Sequence, residues 1–78
     1  MAITVYILVV TEPGATKDVL KALSAAANAL EAHEVLGPYD IVLKIEAANL
    51  ADVPLILSTQ VRPVPSIVNI TSLMSFPQ

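Results

Sequence analysis

The segment Glu31-Ala32-His33-Glu34-Val35-Leu36-Gly37-Pro38-Tyr39-Asp40-Ile41-Val42-Leu43-Lys44-Ile45-Glu46-Ala47 decides the fold. Ile41, Leu43, Ile45 and Ala47 alternate with Val42, Lys44 and Glu46, the period-two pattern of a strand with one buried face. Residues 31–36 read as a second, shorter strand. Gly37-Pro38-Tyr39-Asp40 joins them: glycine accepts positive φ, proline fixes a turn, and an aspartate carboxylate bonds nearby amides. So short a break makes the two strands an antiparallel hairpin.

Upstream, residues 2–10 are rich in β-branched and aromatic types and form a strand. Ile3, Val5, Ile7 and Val9 make one face, and Thr4, Tyr6, Leu8 and Val10 the other. Glu12-Pro13-Gly14 ends it in a turn. A helix follows over residues 15–28, with Val19, Leu20, Leu23, Ala26, Ala27 and Leu30 as its buried stripe. Downstream, a second helix runs to Val61 with Leu50, Val53, Leu57 and Val61 facing inward. Its start has two readings: a cap at Asn49 with Asp52 closing a capping box, or a cap at Asp52 that puts Pro54 in the first turn. Arg62-Pro63-Val64-Pro65 breaks the helix, and residues 66–74 form a last strand. The order strand, helix, strand, strand, helix, strand is the α+β, ferredoxin-like plan, βαββαβ. Both helices cover one face of a four-stranded antiparallel sheet whose first and third strands are central. Leu8 and Val10 then lie on the uncovered face, which predicts a dimer closed sheet to sheet as an αβ sandwich or barrel.

Composition supports one small domain, residues 1–78. The 78 residues are 55% hydrophobic and 14% charged, with mean hydropathy +0.72, which excludes disorder. The longest charge-free run, residues 63–78, is interrupted by Pro65, Ser66, Asn69, Ser72 and Ser75, so no membrane span is expected. No basic segment precedes the apolar start, so it does not read as a signal peptide. Cysteine is absent, which removes disulfides and thiolate metal sites. The formal charge is −3. Lys17, Lys21, Lys44 and Arg62 are scattered, which argues against direct nucleic-acid binding. A cytoplasmic location is the default. A domain this small buries only about 60% of the surface its unfolded chain exposes, so part of its apolar surface is expected to be an interface.

The quoted hairpin, with Gly-any-aromatic-Asp at its turn, resembles the effector-binding (RAM) domain of the Lrp/AsnC family. The strand ending in Glu12-Pro13-Gly14, the acidic-Ala-polar entry to the second helix and the proline before the last strand are also similar. The resemblance implies dimers that assemble into a ring, an octamer or decamer, with an amino acid bound between dimers. It places Gly37, Tyr39 and Asp40 in that site, with Ser72, or Thr71 if the register moves by one. Two departures stand out. Family members carry an N-terminal helix-turn-helix domain for which this chain has no room, so it looks like a stand-alone RAM protein acting indirectly, through full-length Lrp/AsnC-type regulators. The family's last strand begins Gly-Val and carries Thr-any-Thr, where this chain has Ser66-Ile67 and Ile70-Thr71-Ser72.

The residues of the turn suit such a ligand: amides at a glycine turn receive a carboxylate, Asp40 accepts charge-assisted bonds from an ammonium, and Tyr39 offers a wall and a hydroxyl. The same turn is also explained as a purely structural hairpin. No cofactor or metal is expected, since His33 is the lone histidine. The rival is a small dimeric enzyme of monooxygenase or isomerase type, which would need a pocket between sheet and helices lined by His33 or Tyr6. A purely structural oligomer is the third reading. The chemistry-poor composition favours a non-enzymatic sensor.

Overall fold

A computed structural model describes residues 3–26 and 28–75. Strand β1 (Ile3–Thr11) is followed by helix α1 (Thr16–Ser24), strands β2 (Ala29–Glu34) and β3 (Ile41–Ala47), helix α2 (Asp52–Ile56) and strand β4 (Ile67–Ser75). The strands form one sheet in the order β2-β3-β1-β4, and every neighbouring pair is antiparallel. This is the ferredoxin-like arrangement that the element order predicts.

Alternation along the central strands sets the two faces. Val5, Ile7 and Val9 of β1 and Ile41, Leu43, Ile45 and Ala47 of β3 are buried. They pack with Val19 and Leu23 of α1, Val53 and Ile56 of α2, and Val61. Each large apolar side chain so covered contributes roughly 1.5–3 kcal/mol. Register carries the other face across the sheet: Tyr6 lies opposite Lys44 and Leu73, and Leu8 opposite Val42 and Thr71. No helix covers that face among the described residues. Tyr6 and Leu73 are exposed on it.

Several element boundaries differ from the sequence reading. Helix α1 stops at Ser24 rather than at residue 28, because Asn28 already belongs to the sheet: the Glu46 amide donates to its carbonyl at 3.2 Å. Strand β2 therefore begins at Ala29, and Leu30 is an exposed strand residue, not part of the helix stripe. Ala27 lies outside the described residues. The strand also ends earlier, at Glu34, which leaves Leu36 fully exposed in the hairpin connection. Helix α2 starts at Asp52, so neither Asn49 nor Asp52 caps it; Ala51 does so without a side-chain bond. Pro54 is then in the first turn, where its missing N–H has no helical partner to lose. Strand β4 is shifted by one, beginning at Ile67.

Helix α2 continues directly into a π-helical turn, Leu57–Val61. The Arg62 amide donates across it to the Leu57 carbonyl at 2.8 Å. Gln60, in this turn, accepts from the Asn28 amide at 3.1 Å and donates through Nε2 to Asn28 Oδ1 at 2.8 Å. Asn28 Nδ2 donates in turn to the Glu46 carbonyl at 3.0 Å. Three separate parts of the chain are tied together by one amide pair.

Candidate functional site

The predicted turn is built as the sequence suggests, with one added partner. Gly37 has φ +128°, a conformation that side-chain-bearing residues rarely adopt. The Asp40 amide donates to the Val9 carbonyl at 2.9 Å, and the Asp40 carbonyl accepts from Val35 at 2.9 Å. The Asp40 carboxylate reaches the end of β1, where Oδ2 accepts from the Thr11 amide at 2.8 Å and faces the Thr11 hydroxyl at 3.4 Å. That hydroxyl is also 2.7 Å from Thr16 Oγ1, so the bonds link hairpin, β1 and α1. Asp40 Oδ1 takes no protein hydrogen bond among the described residues and remains available as an acceptor. Tyr39 is half-buried beside it, and Gly37 is exposed. Thr11, buried and polar, is the partner that sequence reading missed. The turn signalled that Asp40 would bond an amide, but not that the amide lay 29 residues away.

Ser72 and Thr71 are elsewhere. Thr71 pairs with Leu8 and Ser72 with Ile7, so Thr71 belongs to the open face and Ser72 to the helix side. Ser72 stands opposite a residue four positions along β1 from Thr11, on the order of 13 Å at strand spacing. One protomer thus gathers Gly37, Tyr39 and Asp40 at the hairpin and leaves Ser72 and Thr71 outside that group. Ser66 adopts φ +71°, a glycine-like conformation. Ile70 packs against the core.

Ser72 instead lines an open groove of about 400 Å³ between α2 and β4, together with Leu50, Val53, Pro54, Leu57, Arg62 and Met74. Arg62 also borders a more polar groove along residues 67–70. His33 and Tyr6 line neither of these grooves. Both lie on the open sheet face, where His33 Nε2 is 4.0 Å from Glu31 Oε1 and Lys44 Nζ 3.8 Å from Glu31 Oε2. No group of three metal-ligating side chains occurs among the described residues, and no helix there is long and apolar enough to cross a membrane.

The chain is thus a ferredoxin-like sheet with one uncovered face and a glycine–aromatic–aspartate turn on its hairpin connection. The Lrp/AsnC ligand binding domain matches residues 4–78, and the chain belongs to that family. FFRP-DM1 is 30% identical over 95% of this chain and 99% of its own, with TM-score 0.88. The hypothetical protein PHS023 from Pyrococcus horikoshii is 29% identical over 97% of this chain and 92% of its own, also with TM-score 0.88. The transcriptional regulator NMB0573 from Neisseria meningitidis, solved with L-Met, shares the fold at TM-score 0.84 and 12% identity over 97% of this chain, which spans 51% of that regulator. No curated protein matches the sequence closely. The domain's role is thus regulatory effector binding.

Proposed function

We propose that the chain is a non-enzymatic sensing and oligomerisation module whose effector is an amino acid held at the Gly37–Asp40 turn. The observation that carries this reading is the free Oδ1 of Asp40 beside a glycine turn, an acceptor for an ammonium next to donors for a carboxylate. Tyr39 forms the wall. Ser72 or Thr71 is contributed by a neighbouring copy, since one protomer keeps both away from the turn. The relative solved with L-Met supports the ligand class. Two copies pack through the open sheet faces, and dimers join into a ring of eight or ten. The module works in the cytoplasm without touching nucleic acid, changing transcription through mixed assemblies with regulators that carry the DNA-binding part. A ligand bridging dimers shifts the balance between ring sizes by its differential affinity for them.

Thermal unfolding of the protein with each of the twenty amino acids tests the reading. A ligand at 100 times its Kd stabilises by about 2.7 kcal/mol per site. At least one amino acid should raise Tm, and Asp40→Asn, which keeps an oxygen for the Thr11 amide but loses the charge, should remove most of that rise. No shift with any amino acid at millimolar concentration would overturn it.

A further inference from the structure

We infer that Thr16 is a positioning residue for the effector, and that through it an occupied turn tightens the start of helix α1. The inference rests on the reading of the Gly37–Asp40 turn as the effector site. It adds how that site is held and where its occupancy is felt.

Both protein contacts of the Asp40 carboxylate fall on Oδ2: the Thr11 amide at 2.8 Å and the Thr11 hydroxyl at 3.4 Å. The main chain of Asp40 is pinned as well, its amide on the Val9 carbonyl. What remains to be fixed is the rotation of the carboxylate, and Thr11 fixes it. Oδ2 is kept against Thr11, and Oδ1 is the oxygen offered to a ligand.

Proton counting gives the bonds a direction. An ionised carboxylate only accepts, and each threonine hydroxyl has one proton to give. If Thr11 gave its proton to Thr16, 2.7 Å away, its lone pairs would face those of Oδ2. If Thr16 donates to Thr11, Thr11 is free to donate to Asp40, and the negative charge favours that order. Each bond polarises the next, so Thr16 acts on the carboxylate without touching it. Thr11 is 6% exposed, so little water reaches it to replace Thr16 as donor. At 3.4 Å the last contact is long. It has room to shorten when an ammonium on Oδ1 stops the carboxylate from turning.

The other end of the chain of bonds is the first residue of α1. Ala15, before it, provides no side-chain cap, and the Val19 amide donates to the Ala15 carbonyl at 3.0 Å. Among the described residues, the side-chain bond at this end of the helix is the one that leads to Asp40. Linkage is reciprocal: a contact that strengthens effector binding is strengthened by the effector. An occupied turn therefore holds the first turn of α1 more firmly than an empty one.

Hydrogen exchange and thermal unfolding with the twenty amino acids, each at 10 mM, test this on the unaltered protein and three variants. In the unaltered protein, an amino acid that raises Tm should also slow exchange at the amides of residues 17–19. Thr16→Val keeps the branched shape and loses the hydroxyl. It should weaken that amino acid about fivefold or more and abolish the slowing at 17–19. Thr16→Ser, which keeps the hydroxyl, should restore both. Thr11→Val breaks the chain of bonds one step nearer Asp40 and should match Thr16→Val, even if the latter frays the helix. Full affinity in Thr16→Val, a loss in Thr16→Ser but not in Thr16→Val, or slowing at 17–19 that survives in both valine variants overturns the inference. A Tm rise that needs Asp40 but not Thr16 keeps the effector reading and overturns the inference alone. No Tm rise with any amino acid removes both.

Discussion

Ser66 holds φ +71° with a side chain attached, a conformation that costs an L-residue roughly 1–2 kcal/mol. Its carbonyl accepts from the Glu12 amide at 2.9 Å, so the tie between the two turns holds it there. Ser66→Gly should raise stability by about 1 kcal/mol, read as a higher urea midpoint at unchanged slope. A lower midpoint would mean that the serine side chain matters more than its backbone strain. Asp40 argues the other way. Asp40→Ala leaves the buried Thr11 amide unpaired and should destabilise the ligand-free protein by about 1.5–3 kcal/mol, while Asp40→Asn should cost less. Equal midpoints for the two variants would show that the Thr11 bond contributes little. Both positions were partly legible in the sequence. Gly-Pro-Tyr-Asp spells its own local geometry. The partner of Asp40 did not, because a hydrogen bond across 29 residues leaves no mark on spacing.

The strands were the most legible elements, since alternation with period two is a direct trace of their pleat. Residues 41–47 are a strand in both the reading and the fold. The helices were less so. Alanines over residues 25–27 are good helix formers, yet α1 ends before them because Asn28 is claimed by Gln60 and by the end of β3. Tertiary bonds override propensity there. The π-helical turn at Leu57–Val61 had no signature at all in the apolar pattern, which merely shows Leu57 and Val61 facing inward. Gln60→Ala should test the amide pair. It removes both bonds to Asn28 and should lower stability by about 1–2 kcal/mol, with faster hydrogen exchange at the Asn28 amide. Unchanged exchange at that amide would mean that β2 is anchored without Gln60.

At the scale of the molecule, the open sheet face is the feature that calls for cover. Leu8 sits at its centre, between Val42 and Thr71. The protein should be a dimer or larger at micromolar concentration by light scattering, and Leu8→Lys, which would bury an unpaired charge in each interface, should cost several kcal/mol and give monomers of unchanged circular dichroism. A Leu8→Lys variant of undiminished mass would place the interface elsewhere. The expectation of an interface comes from composition alone; placing it on this face takes the strand order as well. That order also governs how the chain emerges from the ribosome. Strand β1 is made first and lies between β3 and β4, so one of its two edges waits for the last strand. From residue 48 through Ser75 the ribosome adds 28 residues, roughly 1.5–6 s of translation at 5–20 residues per second. Until β4 is made, the edge of β1 that it covers stays bare. Any product cut short after β3 keeps that edge for good, a three-stranded fragment ready to take up whatever strand it meets.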